Sequence, residues 1–376
     1  MKKTINPYKT IGIIGGGQLA RMMCIAAKAM GYYVAVLEPT PNCPAGQVAD
    51  IEITAAYNDM DAIKRLAEIS DVITYEFEKI DPDALTWLET NSYLPQGSQV
   101  LKTTRHRFLE KTSMVNMGLP VPKFTLIDSV ETLEKNVYYP SVLKTTTGGY
   151  DGKGQVVLRS EADLSRAKDL TANNECILEQ FMNFSLEVSV IVARSTAGET
   201  AVFPIAENIH VNSVCHKCIV PARISKKIEE EAIAYAIKIA NSLDAIGVLG
   251  IEMFVVDETI YINELAPRPH NSGHYTLDAC ITSQFEQHVR AICGLPLGDT
   301  SLHTPVVMVN ILGNHMDKEN LHNLSQYIPL IQKGKIHLYG KGKDRAADNS
   351  KMGHVNVLGD IEQTLKVIDA TGIWGE

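Results

Sequence analysis

The sequence predicts a mixed fold, α/β in its first segment and α+β beyond it. Three observations lead there: strand, glycine turn and helix alternate over residues 10–75, two prolines break the pattern near residue 120, and later strands come in successive runs with single helices between the runs. The apolar strand Thr10 to Ile14 meets Gly15, Gly16 and Gly17. Leu19, Met22, Met23, Ala26, Ala27 and Met30 then recur at helical spacing, and Gly31 closes the helix. The strand YVAVLEP, a helical stretch from Met60 to Ser70 and a strand from Val72 to Tyr75 complete a β-α-β alternation, so the sheet is expected to be parallel.

A helix ending at Gly118 leads into LPVPKF, whose prolines suit an extended connector. The strand SVLK runs through TTTGGYDGKGQ into VVL. A helix from Glu161 to Leu170 and a strand CILEQF finish a small α+β unit. Strand-like runs EVSVIVAR and TAVFPIAEN, a helix from Lys226 to Asn241, and the strands GIEMFVV and TIYINEL follow. The tail carries VVMVNILG, KIHLYGK and MGHVNVLG. Boundaries fall near 110, 190 and 300, dividing the chain into 1–110, 111–190, 191–300 and 301–376.

The chain has 376 residues, enough for two to three domains, and 45% hydrophobic with 21% charged residues is the composition of an ordinary folded protein. Its net charge of −9 argues against a nucleic-acid partner, because phosphate backbones are held by excess Lys and Arg. Seven scattered cysteines suit a reducing compartment, read as the cytoplasm. The apolar stretch from Ile11 to Ile14 is too short for a signal peptide, and no run is long enough to span a membrane.

Two glycine turns are candidate phosphate sites. Gly15-Gly16-Gly17-Gln18-Leu19-Ala20 fits G-x-G-x-x-G/A after a strand, with Glu38 about twenty residues on. Alone it reads either as a nicotinamide dinucleotide site or as a tight structural turn. The loop Thr145 to Gln155 holds four glycines in eleven residues, with Lys153 inside it and Lys144 just before. It lacks a Walker ending, yet a glycine hairpin with lysines can fold over a triphosphate.

GIEMFVV-DET-IYINEL reads as a hairpin. With a three-residue loop at Asp257, Glu258 and Thr259, Glu252 lies opposite Glu264 and Phe254 opposite Ile262. A two-residue loop would instead set Glu252 against Asn263. Facing carboxylates repel unless a cation lies between them, and Mg²⁺ shared with nucleotide phosphates fits, with Asn263 as an added oxygen donor. In the following PRPHNSGH, Arg268 suits bidentate capture of an anion and His270 can exchange protons near neutrality. Cys215-His216-Lys217-Cys218 is a lone C-x-x-C placed in a loop, and neither metal nor redox use is assigned to it.

KTTTGGYDGKGQ, LEQFMNFSLEVSV, FPIAENIH and above all YINELAPRPHNSGHYT resemble the ATP-grasp superfamily, and within it the N5-carboxyaminoimidazole ribonucleotide synthetases. IGIIGGGQLARMM and YGK…KMGHVNV extend the resemblance over nearly the whole chain. It implies an ATP-grasp fold with a Rossmann-like pre-grasp domain (1–110), two grasp lobes (111–190 and 191–300) and a small C-terminal segment (301–376) packing with the large lobe. It also implies a homodimer that carboxylates 5-aminoimidazole ribonucleotide with bicarbonate and ATP, using Mg²⁺ or Mn²⁺. A formate-using ligase of the same superfamily is the nearest alternative, and a nicotinamide-dependent oxidoreductase a remoter one.

By the same resemblance Arg107, Lys144, Gly149, Tyr150, Asp151, Gly152, Lys153, Gly154 and Gln155 line the ATP site, together with Glu179, Gln180, Phe181, Met182, Glu187, His210, Asn263 and Glu264. The backbone of Glu179 to Met182 reads the adenine and Glu187 holds the ribose. Glu252 and Glu264 carry the metal. Gln18, Glu76, Tyr150, Asp151, Arg268, His270 and Lys341 border the ribonucleotide and bicarbonate, with Asp151, Arg268 and His270 as the catalytic set. The family commonly has arginine just before the lysine of KMGH, where this chain has Ser350, so Lys341, Arg345 and Lys351 are the candidates for the 5′-phosphate.

Overall fold

The computed structural model describes residues 3–149, 152–315, 327–342, 347 and 349–374. Tyr150, Asp151 and Arg345 lie outside them.

The first sheet is built from β1 (Thr10–Ile14), β2 (Tyr33–Glu38), β3 (Ile51–Thr54) and β4 (Val72–Tyr75) in the order β3-β2-β1-β4, with every pairing parallel. Strands buried on both faces read as unbroken apolar runs, and TIGII, YVAVLE and VITY do. Helix α1 (Gln18–Ala29) covers one face, while α2 (Met60–Ile69) and α3 (Pro82–Asn91) supply Ile63, Leu66, Leu85 and Leu88 to the other. The strand β3, which the apolar pattern does not flag, is an edge strand with one buried residue, Ile53. Helices α4 (Gln99–Thr104) and α5 (Arg107–Asn116) lead out of this unit.

The small sheet has the antiparallel order β5-β8-β6-β7, from β5 (Phe124–Ile127), β6 (Ser141–Thr145), β7 (Gln155–Leu158) and β8 (Cys176–Gln180), backed by α6 (Val130–Asn136) and α7 (Leu164–Thr171). Its β6–β7 connection is the glycine loop.

The large sheet has nine strands: β9 (Leu186–Arg194), β10 (Thr200–Val202), β11 (Ala206–Val211), β12 (Val214–Val220), β13 (Gly247–Val256), β14 (Thr259–Ala266), β15 (Val306–Leu312), β16 (Gly334–Leu338) and β17 (Lys351–Leu358). Their order is β14-β13-β9-β11-β12-β15-β17-β16, with β10 paired to β9. The expected single strand TAVFPIAEN is therefore two, divided around Pro204, which cannot donate to a ladder. Helix α8 (Lys226–Ser242) packs on β9 and β13 through Ile228, Ala232, Ala236 and Ile239. The short α9 (Thr276–Ala279) precedes α10 (Gln284–Ile292), whose Phe285, Val289 and Ile292 join the α1 core of the first unit. Helices α11 (Ile328–Ile331) and α12 (Ile361–Asp369) close the tail against β15 and β17.

The β13–β14 hairpin corrects the expected register. Its turn holds two residues, Asp257 and Glu258, both at positive φ (46° and 57°), the conformation whose twist suits a two-residue hairpin. Phe254 therefore pairs with Tyr261 rather than Ile262, and the ladder shifts between Glu252 and Met253. That shift makes Asn263 an extra residue, a bulge, and beyond it Glu252 does face Glu264. The outer edge of β14 is covered: Ile262 N–H donates to the Pro120 carbonyl at 2.9 Å, Lys111 Nζ to the Asn263 carbonyl at 2.8 Å, and Leu265 N–H to Glu110 Oε1 at 2.8 Å.

A second correction concerns the C-x-x-C. It lies in β12, not in a loop, and a bulge opposite Ile209 and His210 brings the Cys215 and Cys218 sulfurs to 3.5 Å.

Candidate active site

The site is the cleft between the small sheet and the glutamate end of the large one. Arg107, the first residue of α5, spans it: Nη1 donates to Glu264 Oε2 at 2.8 Å and Nη2 to the Gly149 carbonyl at 3.3 Å. Lys144 on β6 donates to Glu179 Oε2 on β8 at 2.8 Å, and the buried Lys111 lies 3.7 Å from the same oxygen. On the far side of the glycine loop, Gln155 Nε2 donates to Ser213 Oγ at 3.4 Å, in the turn between β11 and β12. The two ends of the loop are therefore tied to the large sheet, Gly149 by way of Arg107 and Glu264, and Gln155 by way of Ser213.

The two facing glutamates differ in charge. Burial opposes the charge of Glu264, but Arg107 outweighs it by charge and hydrogen bond and holds the carboxyl well below the usual range. With 39% of its side chain open to the cleft, Glu264 keeps some solvent screening of that pair. Glu252 has no such partner: burial and then the charge of Glu264 push it up to about 8. Glu110 is raised to about 8 for the same two reasons. Beside this pair the Asn263 Oδ1 is buried without a hydrogen-bond partner. Two carboxylates and an orphaned carboxamide oxygen are the donor set of a hard divalent cation. Among the described residues no three His, Cys, Asp or Glu side chains converge, so the remaining ligands of such an ion would be phosphate oxygens and water.

His270 Nε2 lies 3.5 Å from Glu252 Oε1, and its Nδ1 is 2.9 Å from Ser272 Oγ. Burial and then Arg268 take its pKa down to about 3, so the imidazole is neutral at physiological pH, which corrects the expected proton exchange near neutrality and leaves an orienting role. The cation at this end is Arg268, held by Glu78 through Nε at 2.9 Å. Glu187 and His210 pair at 3.0 Å across β9 and β11; burial opposes the charge on His210, yet Glu187 raises its pKa to about 10. Lys341 Nζ donates to the Lys351 carbonyl at 2.7 Å, so two of the three phosphate candidates are neighbours. Glu110, Lys111, Glu78 and Ser272 are the residues that the sequence reading missed. For Glu110 and Lys111 the signal is their place on the buried stripe of α5 beside Met114.

The first glycine turn corrects the dinucleotide reading. At the N-terminus of α1 the Glu76 carboxylate accepts from Gly17 N–H, and from Ala20 N–H at 2.7 Å; Glu38 accepts from Gly16 N–H at 3.0 Å. The seat that a pyrophosphate would take is filled by the chain's own carboxylates. Gly15 is required there by its φ of 104°, and a Cβ on it would come 2.4 Å from Glu76 Cγ.

A small antiparallel sheet and a large one closing on a glycine hairpin, lysines and paired glutamates define an ATP-grasp protein, and the family model for the ATP-grasp domain matches residues 112–285. Models for the ribonucleotide synthetase pre-ATP-grasp domain and the phosphoribosylaminoimidazole carboxylase C-terminal domain match residues 8–104 and 306–367. The N5-carboxyaminoimidazole ribonucleotide synthase of Bacillus subtilis is 50% identical over 362 residues, covering 95% of this chain and 93% of that one. The crystal structure of an ADP complex of N5-carboxyaminoimidazole ribonucleotide synthetase superposes with a TM-score of 0.95 at 58% identity, over 100% and 99% of the two chains. The Aspergillus clavatus synthase, in complex with ADP and 5-aminoimidazole ribonucleotide, gives 0.89 at 30% identity over 99% and 98%. The chain belongs to the N5-carboxyaminoimidazole ribonucleotide synthase family and is an ATP-grasp ligase.

Proposed function

We propose that this site carboxylates 5-aminoimidazole ribonucleotide with bicarbonate at the expense of ATP, giving N5-carboxyaminoimidazole ribonucleotide, ADP and phosphate. The observation that carries the reading is the Glu252–Glu264 pair, joined through Arg107 to the Gly149 end of the glycine loop at whose root Lys144 stands. Lys144, Lys153, Arg107 and the loop residues Gly149 to Gln155 hold the triphosphate. The Glu179 to Met182 backbone meets the adenine, and Glu187 with His210 meets the ribose. A bound Mg²⁺, held by Glu252, Glu264 and Asn263 Oδ1, supplies neutralisation of the phosphate charge.

Bicarbonate oxygen attacks the γ-phosphorus and ADP leaves, giving carboxyphosphate, which then breaks to CO₂ and phosphate. Arg268 is suited to hold these anions because its guanidinium donates in pairs. His270, as a neutral imidazole 3.5 Å from Glu252, can accept or donate a hydrogen bond at Nε2 and so orient the bicarbonate without carrying charge. The exocyclic amine attacks CO₂ and its proton passes to Asp151. Gln18, Glu76 and Tyr150 border the ribonucleotide, and Lys341, Arg345 and Lys351 hold its 5′-phosphate. The segments 1–110, 111–190, 191–300 and 301–376 act as pre-grasp unit, two lobes and C-terminal segment of a cytoplasmic homodimer. Seven free, buried cysteines and the lack, among the described residues, of any helix long and apolar enough to cross a membrane support the placement.

ADP release from the purified protein tests the reading. It should require 5-aminoimidazole ribonucleotide and bicarbonate together, and formate should not replace bicarbonate. Release that ignores bicarbonate, or that formate restores, would overturn it.

A further inference from the structure

Residues 267–274, which carry both Arg268 and His270, form no strand or long helix, so no ladder of their own holds them in place. Gln284, the first residue of α10 and fully buried, does so. Its Oε1 accepts from His270 N–H at 2.9 Å and its Nε2 donates to the His270 carbonyl at 2.7 Å. One carboxamide thus meets both polar groups of one backbone residue, as a neighbouring strand would. Its Nε2 also lies 3.2 Å from His274 Nδ1.

The clamp is itself anchored. Gln284 N–H donates to Thr276 Oγ1 at 2.9 Å, and the Thr276 hydroxyl donates to the Gly273 carbonyl at 2.6 Å. Space for the carboxamide depends on Gly273, where a Cβ would sit 2.5 Å from Gln284 Oε1. A Cβ on Gly250 would come 2.7 Å from the His270 Cβ, so the histidine is pressed against β13 from the other side. Helix α10 is fixed in turn by Phe285, Val289 and Ile292 in the core of the parallel sheet.

We propose that Gln284 is a positioning residue for the carboxylation step: its two bonds to the His270 backbone hold the imidazole 3.5 Å from Glu252 and keep Arg268 aimed at the bicarbonate. The proposal rests on the reading of His270 and Arg268 given under Proposed function. The clamp has a strict chemical requirement, one donor and one acceptor in a plane. A protonated carboxyl meets it, an ionised one cannot donate to the carbonyl, and leucine offers neither.

The test compares Gln284→Leu and Gln284→Glu with the unaltered protein and with His270→Ala, following ADP release against both bicarbonate and ATP, and thermal melting. In Gln284→Leu kcat/KM for bicarbonate should fall about 100-fold, the cost of an ångström-scale misplacement, with KM for ATP unchanged. In Gln284→Glu the activity relative to the unaltered protein should recover as pH falls from about 9 to about 6, since buried carboxyls reach a pKa of about 8–9. The titratable groups facing position 284 are His270 and His274, both kept neutral by burial; Glu252, 3.5 Å beyond His270 and itself raised to about 8, titrates in both proteins, so the ratio to the unaltered protein isolates the introduced carboxyl.

An unchanged kcat/KM for bicarbonate or a raised KM for ATP in Gln284→Leu, or a ratio in Gln284→Glu that ignores pH, would overturn the proposal. If Gln284→Leu does not fold, the pH ratio in Gln284→Glu decides alone. If His270→Ala keeps full bicarbonate-dependent turnover, the reading of His270 fails instead, whatever the Gln284 variants do.

Discussion

The two glycine turns share a composition and differ in what surrounds them. Gly15 to Gly17 opens a helix whose free N–H groups face inward, and Glu76 and Glu38 already accept from them. The Thr145 to Gln155 loop opens no helix, and its neighbours are cations: Arg107 at the Gly149 carbonyl and Lys144 at its root. A glycine turn is a phosphate site only when its donors are left for a ligand. The turn that fits the dinucleotide pattern is capped by the protein's own carboxylates, and the other is joined through Arg107 to one of the paired glutamates.

The comparison can be broken from either side. The largest effect belongs at the paired glutamates: Glu264→Ala removes an oxygen donor for the cation and the carboxylate partner of Arg107, so steady-state ADP release should fall by about 100-fold or more, as for loss of a major electrostatic contact. Lys144→Ala should raise KM for ATP by about tenfold, near 1.4 kcal/mol, while KM for bicarbonate stays put. Unchanged ATP affinity would mean that this loop is not the phosphate site.

At the first turn the effect should fall on folding as well as on the ribonucleotide that Glu76 borders, and not on ATP. Glu76→Ala strips the buried N-terminus of α1 of its acceptor and should cost about 1–3 kcal/mol in denaturant unfolding. NADH should show no saturable binding to the unaltered protein in a fluorescence titration, since its pyrophosphate seat is taken. Saturable binding would reopen the dinucleotide reading.

The smallest effect sharpens the contrast between the two glutamates. Glu252 sits at about 8 in the folded chain against an ordinary 4.5. The folded state holds this proton more tightly, so the stability it contributes is full below about pH 4.5 and is lost as pH rises through about 8. The ligand-free melting temperature should therefore fall between pH 6 and 9. Glu252→Gln should flatten the slope by up to about 1.4 kcal/mol per pH unit, leaving the share of Glu110, which is raised in the same direction.

Much of this was legible in local pattern. Strands such as Thr10–Ile14 and Val72–Tyr75 lie where apolar runs place them, because strands of a buried parallel sheet have no polar face to blur the signal. The facing of Glu252 and Glu264 was legible too, although by a different route: a three-residue loop was expected, whereas a two-residue turn and a bulge at Asn263 lead to the same pair. A bulge leaves no mark in local sequence. It depends here on Pro120, Lys111 and Glu110 taking up the outer edge of β14, residues more than a hundred positions away.

The sequence by itself determined which residue types are available: a lysine-flanked glycine hairpin, two glutamates on adjacent strands, and an Arg-Pro-His run that stops regular structure. Only the tertiary structure decided which of them are free to act. Glu38 and Glu76 close one anion seat, Arg107 ionises one glutamate of a pair and leaves its neighbour holding a proton, and Gln284 on α10 holds the His270 backbone. The physical reason is range. Strand and helix patterns are set by neighbours in the chain, while charge state and hydrogen-bond satisfaction are set by whatever the fold packs within a few ångströms.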